Sequence, residues 1–213
     1  MIEFICALYN EEEELRDLIE HVAPYVDHLN FVDDGSSDRT SDILEEYRQG
    51  PNWHVNYAYI RHTGLCEVAR IEALKMCADD SWVLMCDADE RFEDLRAIKD
   101  WVDSEESKKY THVWFRQKEY LDGNHTRTYG KVKLFRKNAV HLSPIIHSDP
   151  SFDGEGTNLE WVVNHRKTSV KQVMREKEYL STYNKLLEDG LIDQGQKDWF
   201  LSMHYYVRQE PHG

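Results

Sequence analysis

Apolar and polar positions change in blocks through the first hundred residues, and each block fits one element. Ile2 to Leu8 is a short apolar run; after it Leu15, Leu18, Ile19 and Val22 recur at helical spacing behind a run of acids, which suits a helix amino terminus. This predicts a strand, then a helix over Glu11 to Val22 closed by Pro24. Leu29 to Val32 predicts a second strand. The turn DDGSSDRT leads into a helix with Ile43, Leu44 and Tyr47 on one side. Val55 to Ile60 predicts a third strand, Val68, Ile71 and Leu74 mark a helix face, and Trp82 to Cys86 a fourth strand. Strands that alternate with helices imply an α/β fold with a largely parallel sheet and right-handed crossovers.

Past Asp100 the pattern lengthens. Thr111 to Tyr120 and Thr128 to Phe135 read as extended segments joined at Asp122-Gly123-Asn124, a β-hairpin signal. The tract HLSPIIHSDPSFDGEGTN reads as loop, and an amphipathic helix follows from Ser169 to Asp189, ended by Gly190. The closing segment, with Trp199, Phe200, Tyr205 and Tyr206, reads as a helix packed on the sheet rather than an aromatic sugar platform. The expectation is a single domain over residues 1–213.

Composition narrows the function. With 26 Lys and Arg against 40 Asp and Glu, the net charge is -14, which disfavours a protein that tracks nucleic-acid phosphates. No stretch approaches the roughly 20 apolar residues of a membrane span, and the amino terminus lacks a basic targeting region. A soluble, cytoplasmic chain is expected, with peripheral membrane contact and oligomeric state left open. Cys6, Cys66, Cys77 and Cys86 show no C-x-x-C spacing and read as buried thiols.

In open parallel sheets ligands bind at the carboxyl ends of the strands. Three such ends are polar here: Ala7-Leu8-Tyr9-Asn10-Glu11, Asp33-Asp34-Gly35-Ser36-Ser37 and Asp87-Ala88-Asp89. Asp87 and Asp89 point to one side of an extended chain, and their mutual repulsion calls for a hard divalent cation such as Mg²⁺ or Mn²⁺. Asp34 suits hydrogen bonds from a base N–H or a ribose hydroxyl. Each motif alone has a plainer reading: exposed acids after a strand, or a polar turn capping a helix through Ser37 or Asp38. In this order and at these ends they fit a cleft for a nucleoside diphosphate and a metal.

CALYNEEEEL, FVDDGSSDRT and WVLMCDADERF together resemble the signature segments of family 2 glycosyltransferases. That resemblance implies the GT-A fold: a Rossmann-like, mixed but mainly parallel sheet flanked by helices, with a hairpin and a C-terminal helical segment. It implies a nucleotide-sugar-binding half over residues 1–100 and an acceptor side over 101–213. The donor is a nucleoside-diphosphate sugar, a UDP-sugar foremost, held with Mn²⁺ or Mg²⁺. By position Ala7, Tyr9, Glu11 and Asp34 fall at the nucleotide-sugar site. Arg70 joins them, although Ile71 stands where the family pattern has Asn. Asp87 faces the ribose or the metal, and Asp89 is the direct metal ligand. KVKLFRKNAVHLSPIIHSDP is similar to a small bacterial lipopolysaccharide-core-type subgroup, whose histidine would be His147, a metal ligand. His165 reads as a structural histidine.

The implied reaction is inverting transfer of the sugar to a hydroxyl on a glycan, lipid-linked glycan, protein or modified nucleobase. The catalytic base implied by position is Asp149, with Glu90 and Glu155 as rivals. Whether Glu90 and Arg91 meet the sugar or cap the next helix stays open. Three other classes compete. A haloacid-dehalogenase-type phosphatase wants its D-x-D near the amino terminus. A sugar-phosphate nucleotidyltransferase wants a Gly-rich, Arg-containing loop after strand one. A nucleotide-sugar- or glycan-binding module would keep Asp34 without transfer.

Overall fold

The computed structural model describes residues 1–144 and 149–202. Its elements run β1 (Ile2–Leu8), α1 (Leu15–Val22), β2 (His28–Asp33), α2 (Thr40–Gln49), β3 (Val55–Tyr59), α3 (Cys66–Lys75), β4 (Trp82–Met85), β5 (Glu90–Phe92) and α4 (Leu95–Val102). They continue as β6 (His112–Leu121), β7 (Asn124–Arg136), β8 (Val140–His141), β9 (Ser151–Phe152), β10 (Gly156–Lys167), α5 (Ser169–Glu188) and α6 (Gln194–Ser202). The chain forms two compact units: Met1–Tyr120 with His125–Arg166, and Leu121–Asn124 with the segment from Lys167 on.

In the first unit an eight-stranded sheet has the order β3-β2-β1-β4-β7-β6-β10-β5, and β8 pairs with β9. The β1–β2, β2–β3 and β1–β4 pairings are parallel, whereas β4–β7 and β10–β5 are antiparallel. Helices supply the parallel crossovers, and α1, α2 and α4 bury Leu15, Leu18, Ile19, Ile43, Leu44 and Ile98 with Phe4, Phe31 and Leu84 in one cluster. Ala69 and Ala73 of α3 pack with Ile5, Val32, Val83 and Met85 in a second. The small α3 side chains bring that helix close to the strands.

The sheet is strongly curled, and the connection from β4 to β5 requires it. The two strands stand four places apart in the order, about 19 Å in a flat sheet. Only Cys86 to Asp89 separate them, in a turn closed by the Glu90 N–H donating to the Asp87 carbonyl at 3.0 Å. A turn cannot span that width, so the far edge folds back against the centre.

The first four strands lie where the periodicity places them. Three expectations change. The acids Glu11 to Glu14 form a turn before α1 rather than its first turn of helix. The tract from His141 to Asn158 is not all loop, since it contains β9 and the start of β10; Gly154 and Gly156 mask the strand signal. Glu90 and Arg91 cap nothing. They lie in β5, and Asp94 caps α4 by accepting from the Ala97 N–H at 3.0 Å. The hairpin turn has positive φ at Asp122 (49°) and Gly123 (80°), the two-residue geometry that fits strand twist. In the second unit Trp199 is an exposed residue of α6; Tyr205 and Tyr206 lie outside the described residues.

Candidate active site

The first two strand ends are tied together by their own turns. Asn10 adopts φ 53°, and its side-chain oxygen accepts from the Ser37 N–H at 2.8 Å while its own N–H donates to Ser36 Oγ at 2.9 Å. The Glu11 N–H donates to Thr40 Oγ1 at 2.9 Å, and Asp33 accepts from the Ser36 N–H at 2.9 Å. Gly35, at φ +77°, is required: a Cβ there would stand 2.8 Å from the His62 backbone nitrogen.

Against this frame Asp34 is buried, and its Oδ1 accepts from the Thr63 N–H at 2.9 Å and from Thr63 Oγ1 at 3.1 Å. Burial pushes the Asp34 carboxyl up, against the pull of Thr63 and His62. The Tyr9 ring stacks on His62 with centroids 4.1 Å apart. Ala7 lies inside β1 opposite Val32, and Glu11 is buried beside this turn.

The third strand end gathers residues from five strands. Two core-facing rows run from apolar to polar as they approach it. On β6 the buried positions are Val113, Phe115, Gln117 and Glu119, and on β10 Val163 is followed by His165. The β5–β10 register matches this, with Phe92 opposite Val163 and Glu90 opposite His165. Strand alternation carries each row on one face, so the same pattern that builds the core delivers the site.

Glu90 is fully enclosed, and Lys133 of β7, also buried, donates to both its oxygens at 2.6 Å. Glu90 Oε2 further accepts from the Asp87 N–H at 2.9 Å. Asp87 pairs with Arg70 of α3. Burial pushes the Asp87 carboxyl up, but Arg70, Lys133 and His165 outweigh it and hold it well below the usual carboxylate range. His165 stands 3.2 Å from Asp89 through Nε2, and Gln117 meets its Nδ1 at 2.9 Å. Glu119 lies 3.7 Å from that nitrogen and accepts from Tyr129 at 2.9 Å. Arg91 clamps the turn from behind, donating to Asp17 at 2.8 Å, to Glu14 at 3.0 Å and to the Ala88 carbonyl at 2.7 Å.

Donor atoms of Asp87, Glu90 and His165 all lie within 4.8 Å of one another. Two carboxylates suit a hard divalent ion such as Mn²⁺, with the imidazole as a third donor. Asp89 adjoins this group through His165. His147 lies outside the described residues. Asp149 is exposed and pairs with Lys131, which stands two residues before Lys133 on β7. Glu155 is exposed as well, in the link from β9 to β10. Sequence reasoning missed Lys133, Gln117, Glu119, His62 and Thr63 and gave His165 only a structural part. The signal was present as polar residues continuing a core-facing row, Val113-x-Phe115-x-Gln117-x-Glu119, and as a lysine inside the apolar run Val132-Lys133-Leu134-Phe135.

All four cysteines are free, and burial pushes the Cys66 and Cys77 thiols up to about 12. No described helix is long and apolar enough to cross a membrane.

The model of the glycosyl transferase family 2 matches residues 4–161, a span containing all three polar strand ends and the Lys133 strand. The chain belongs to glycosyl transferase family 2. The match is to the family as a whole and does not single out the lipopolysaccharide-core-type subgroup. No curated protein matches the chain in sequence. Among solved structures, TarS of S. aureus aligns at 17% identity and TM-score 0.56 over 95% of this chain and 42% of its own. TarS 1-349 in complex with UDP-GlcNAc aligns at 15% identity and TM-score 0.59, over 92% of this chain and 69% of its own. The mannosyltransferase PcManGT from Pyrobaculum calidifontis, in complex with GDP-Man and Mn2+, aligns at 13% and 0.58 over 98% and 70%. This family 2 chain has their GT-A fold while spanning less than half of the full TarS chain.

Proposed function

We propose that this family 2 chain transfers a sugar from a nucleoside-diphosphate sugar to a hydroxyl acceptor, with divalent metal and with inversion at the anomeric carbon. The supporting observation is that the adjacent parallel strands β2, β1 and β4 end beside two complementary groups: the stacked Tyr9 and buried Asp34, and Asp87 and Asp89 with Glu90 of β5 and His165 of β10. Sugar nucleotides bound by two proteins of the same fold, one of them with Mn²⁺, support the donor class and the ion. A UDP-sugar is the donor to test first. Family membership sets the phosphatase and nucleotidyltransferase readings aside.

Asp34 accepts a base N–H, while the Tyr9–His62 stack offers a ring face to the base. Asp87 is oriented by Arg70 and Glu90 by Lys133; Asp89 stands 3.2 Å from His165 Nε2. Asp87, Glu90 and His165 would hold a divalent ion, which would supply the positive charge that neutralises the leaving diphosphate. Arg70 and Lys133 add positive charge at the same end. The acceptor oxygen bonds to the anomeric carbon as the bond to the diphosphate oxygen breaks, and the acceptor's proton passes to a carboxylate. We assign that base to Asp149, whose exposure lets an acceptor reach it and whose partner Lys131 shares a strand with Lys133. Glu90, enclosed and bound twice by Lys133, serves the ion rather than the acceptor. Residues 1–100 hold the donor and the later residues meet the acceptor, within one GT-A domain.

The test is release of free nucleoside diphosphate from UDP-, GDP- and TDP-sugars with glycan, lipid-linked and protein acceptors. Asp149→Asn is expected to lower turnover by about 10²- to 10⁴-fold with donor affinity unchanged. Near-normal turnover removes Asp149 from the mechanism. Donor binding without any release or transfer makes the chain a binding module.

A further inference from the structure

Lys133 is the least expected residue of the charged set. It is a buried lysine on β7 whose ammonium donates at 2.6 Å to both oxygens of Glu90. The two strands are not neighbours: β6 and β10 lie between β7 and β5 in the sheet order. The pair therefore crosses the mouth of the curl rather than running along a ladder. The ammonium is thus one half of a buried, doubly hydrogen-bonded ion pair. On the other flank Asp87 already pairs with Arg70. Two resident cations thus neutralise two of the three groups whose donor atoms come within 4.8 Å of one another.

A carboxylate held at both oxygens by an ammonium is a poor ligand until that ammonium yields. We infer that Lys133 is a tethered rival of the divalent ion for Glu90, so that this one lysine sets how tightly the site takes metal before donor arrives. The inference rests on the proposed metal site. Its consequence is an ordered site. Without a nucleotide, Glu90 stays with Lys133 and metal is bound weakly. With a diphosphate present, the ammonium has new anionic oxygens to move to, and Glu90 becomes free to ligate. Metal and donor then bind cooperatively, because each supplies what the other's binding requires.

The test uses Mn²⁺ alone, without nucleotide, and follows both its affinity by titration calorimetry and its effect on Tm. For Lys133→Met the expected result is Mn²⁺ affinity raised by about tenfold or more and a larger Mn²⁺-induced rise in Tm than in the unmodified protein. The removed charge leaves Glu90 buried and in need of a cation. Lys133→Arg, which keeps the charge, is expected to behave like the unmodified protein, and Lys133→Met with Glu90→Gln to lose the gain. If Lys133→Met does not fold without metal, refolding in the presence of Mn²⁺ but not in its absence is the expected outcome. Unchanged or weaker Mn²⁺ binding in Lys133→Met, or failure to refold with Mn²⁺, overturns the inference. The donor reading is tested separately by sugar-nucleotide binding without added metal, which none of these outcomes decides.

Discussion

The two ends of the candidate site are built in opposite ways. The end proposed for the nucleoside comes from the turns after β1 and β2, with Asn10, Ser36, Ser37 and Gly35 fixing the turn that carries Asp34 through short-range and turn-to-turn hydrogen bonds, and His62 and Thr63 arriving from the next loop. The end proposed for the diphosphate is assembled across the curl from β4, β5, β6, β7 and β10, and its contacts join residues far apart in the chain, such as the Lys133–Glu90 ion pair and the approach of His165 Nε2 to Asp89 at 3.2 Å. The first end is a shaped turn built from local contacts. The second also ties distant strands together, so the residues proposed for the chemistry bear stability as well.

That contrast yields graded expectations. Glu90→Gln should have the largest effect on stability, because it leaves the Lys133 ammonium buried without its carboxylate; a loss of about 3–5 kcal/mol, read by urea unfolding, is expected. Pairing it with Lys133→Met should recover a large part, and a loss under about 1 kcal/mol in the single variant would mean that the network does not hold the curl. Gly35→Ala should cost about 1–3 kcal/mol, since it strains a φ of +77° and drives a Cβ into the His62 backbone. It should also weaken donor binding by displacing Asp34.

Asp34→Asn should have the smallest effect on stability, and of opposite sign. The folded-state pKa of Asp34 is raised by burial, so the folded protein binds the proton more readily than the unfolded chain. Its contribution to stability therefore falls as pH rises through the window between the unfolded and folded values. At neutral pH the ionised carboxylate is a burden, and the amide should leave the protein equally or slightly more stable while donor affinity drops. For the unmodified protein, donor affinity should begin to fall on acidification at a pH above the ordinary aspartate value. Asp87 is the counter-case. Its folded pKa is depressed, so its stabilising contribution is complete above the unfolded value and is lost only as pH falls towards the folded one. A pH titration of Tm and of donor binding separates the two.

The same contrast explains what could be read from the chain. Strands β1 to β4 and the polar turns after them are local events: an apolar run, a glycine where positive φ is needed, acids at the strand ends. They are legible, and so is the placing of Asp34, Asp87 and Asp89 just after strands β2 and β4. The hairpin announced itself through Asp122-Gly123. Strand β10 did not, because Gly154 precedes it, Gly156 opens it and its partners lie outside any local window. Lys133 is legible as a buried lysine, but the partners of Lys133 and His165 are not, for a related reason. Their meaning depends on the curl that brings β5 back beside β4, and no stretch of sequence states which distant strand a buried lysine will meet.

The most direct test of the account is whether one ligand binds both ends at once. Thermal stabilisation should be measured with UDP-, GDP- and TDP-sugars, with and without Mn²⁺, on the unmodified protein and on Asp34→Asn and Asp87→Asn. The account predicts that one nucleotide sugar, at about 100 times its dissociation constant, stabilises by about 2.7 kcal/mol, more with Mn²⁺ than without, and that each substitution alone removes most of the shift. No shift with any nucleotide sugar, with or without metal, or a shift that survives either substitution intact, would contradict it.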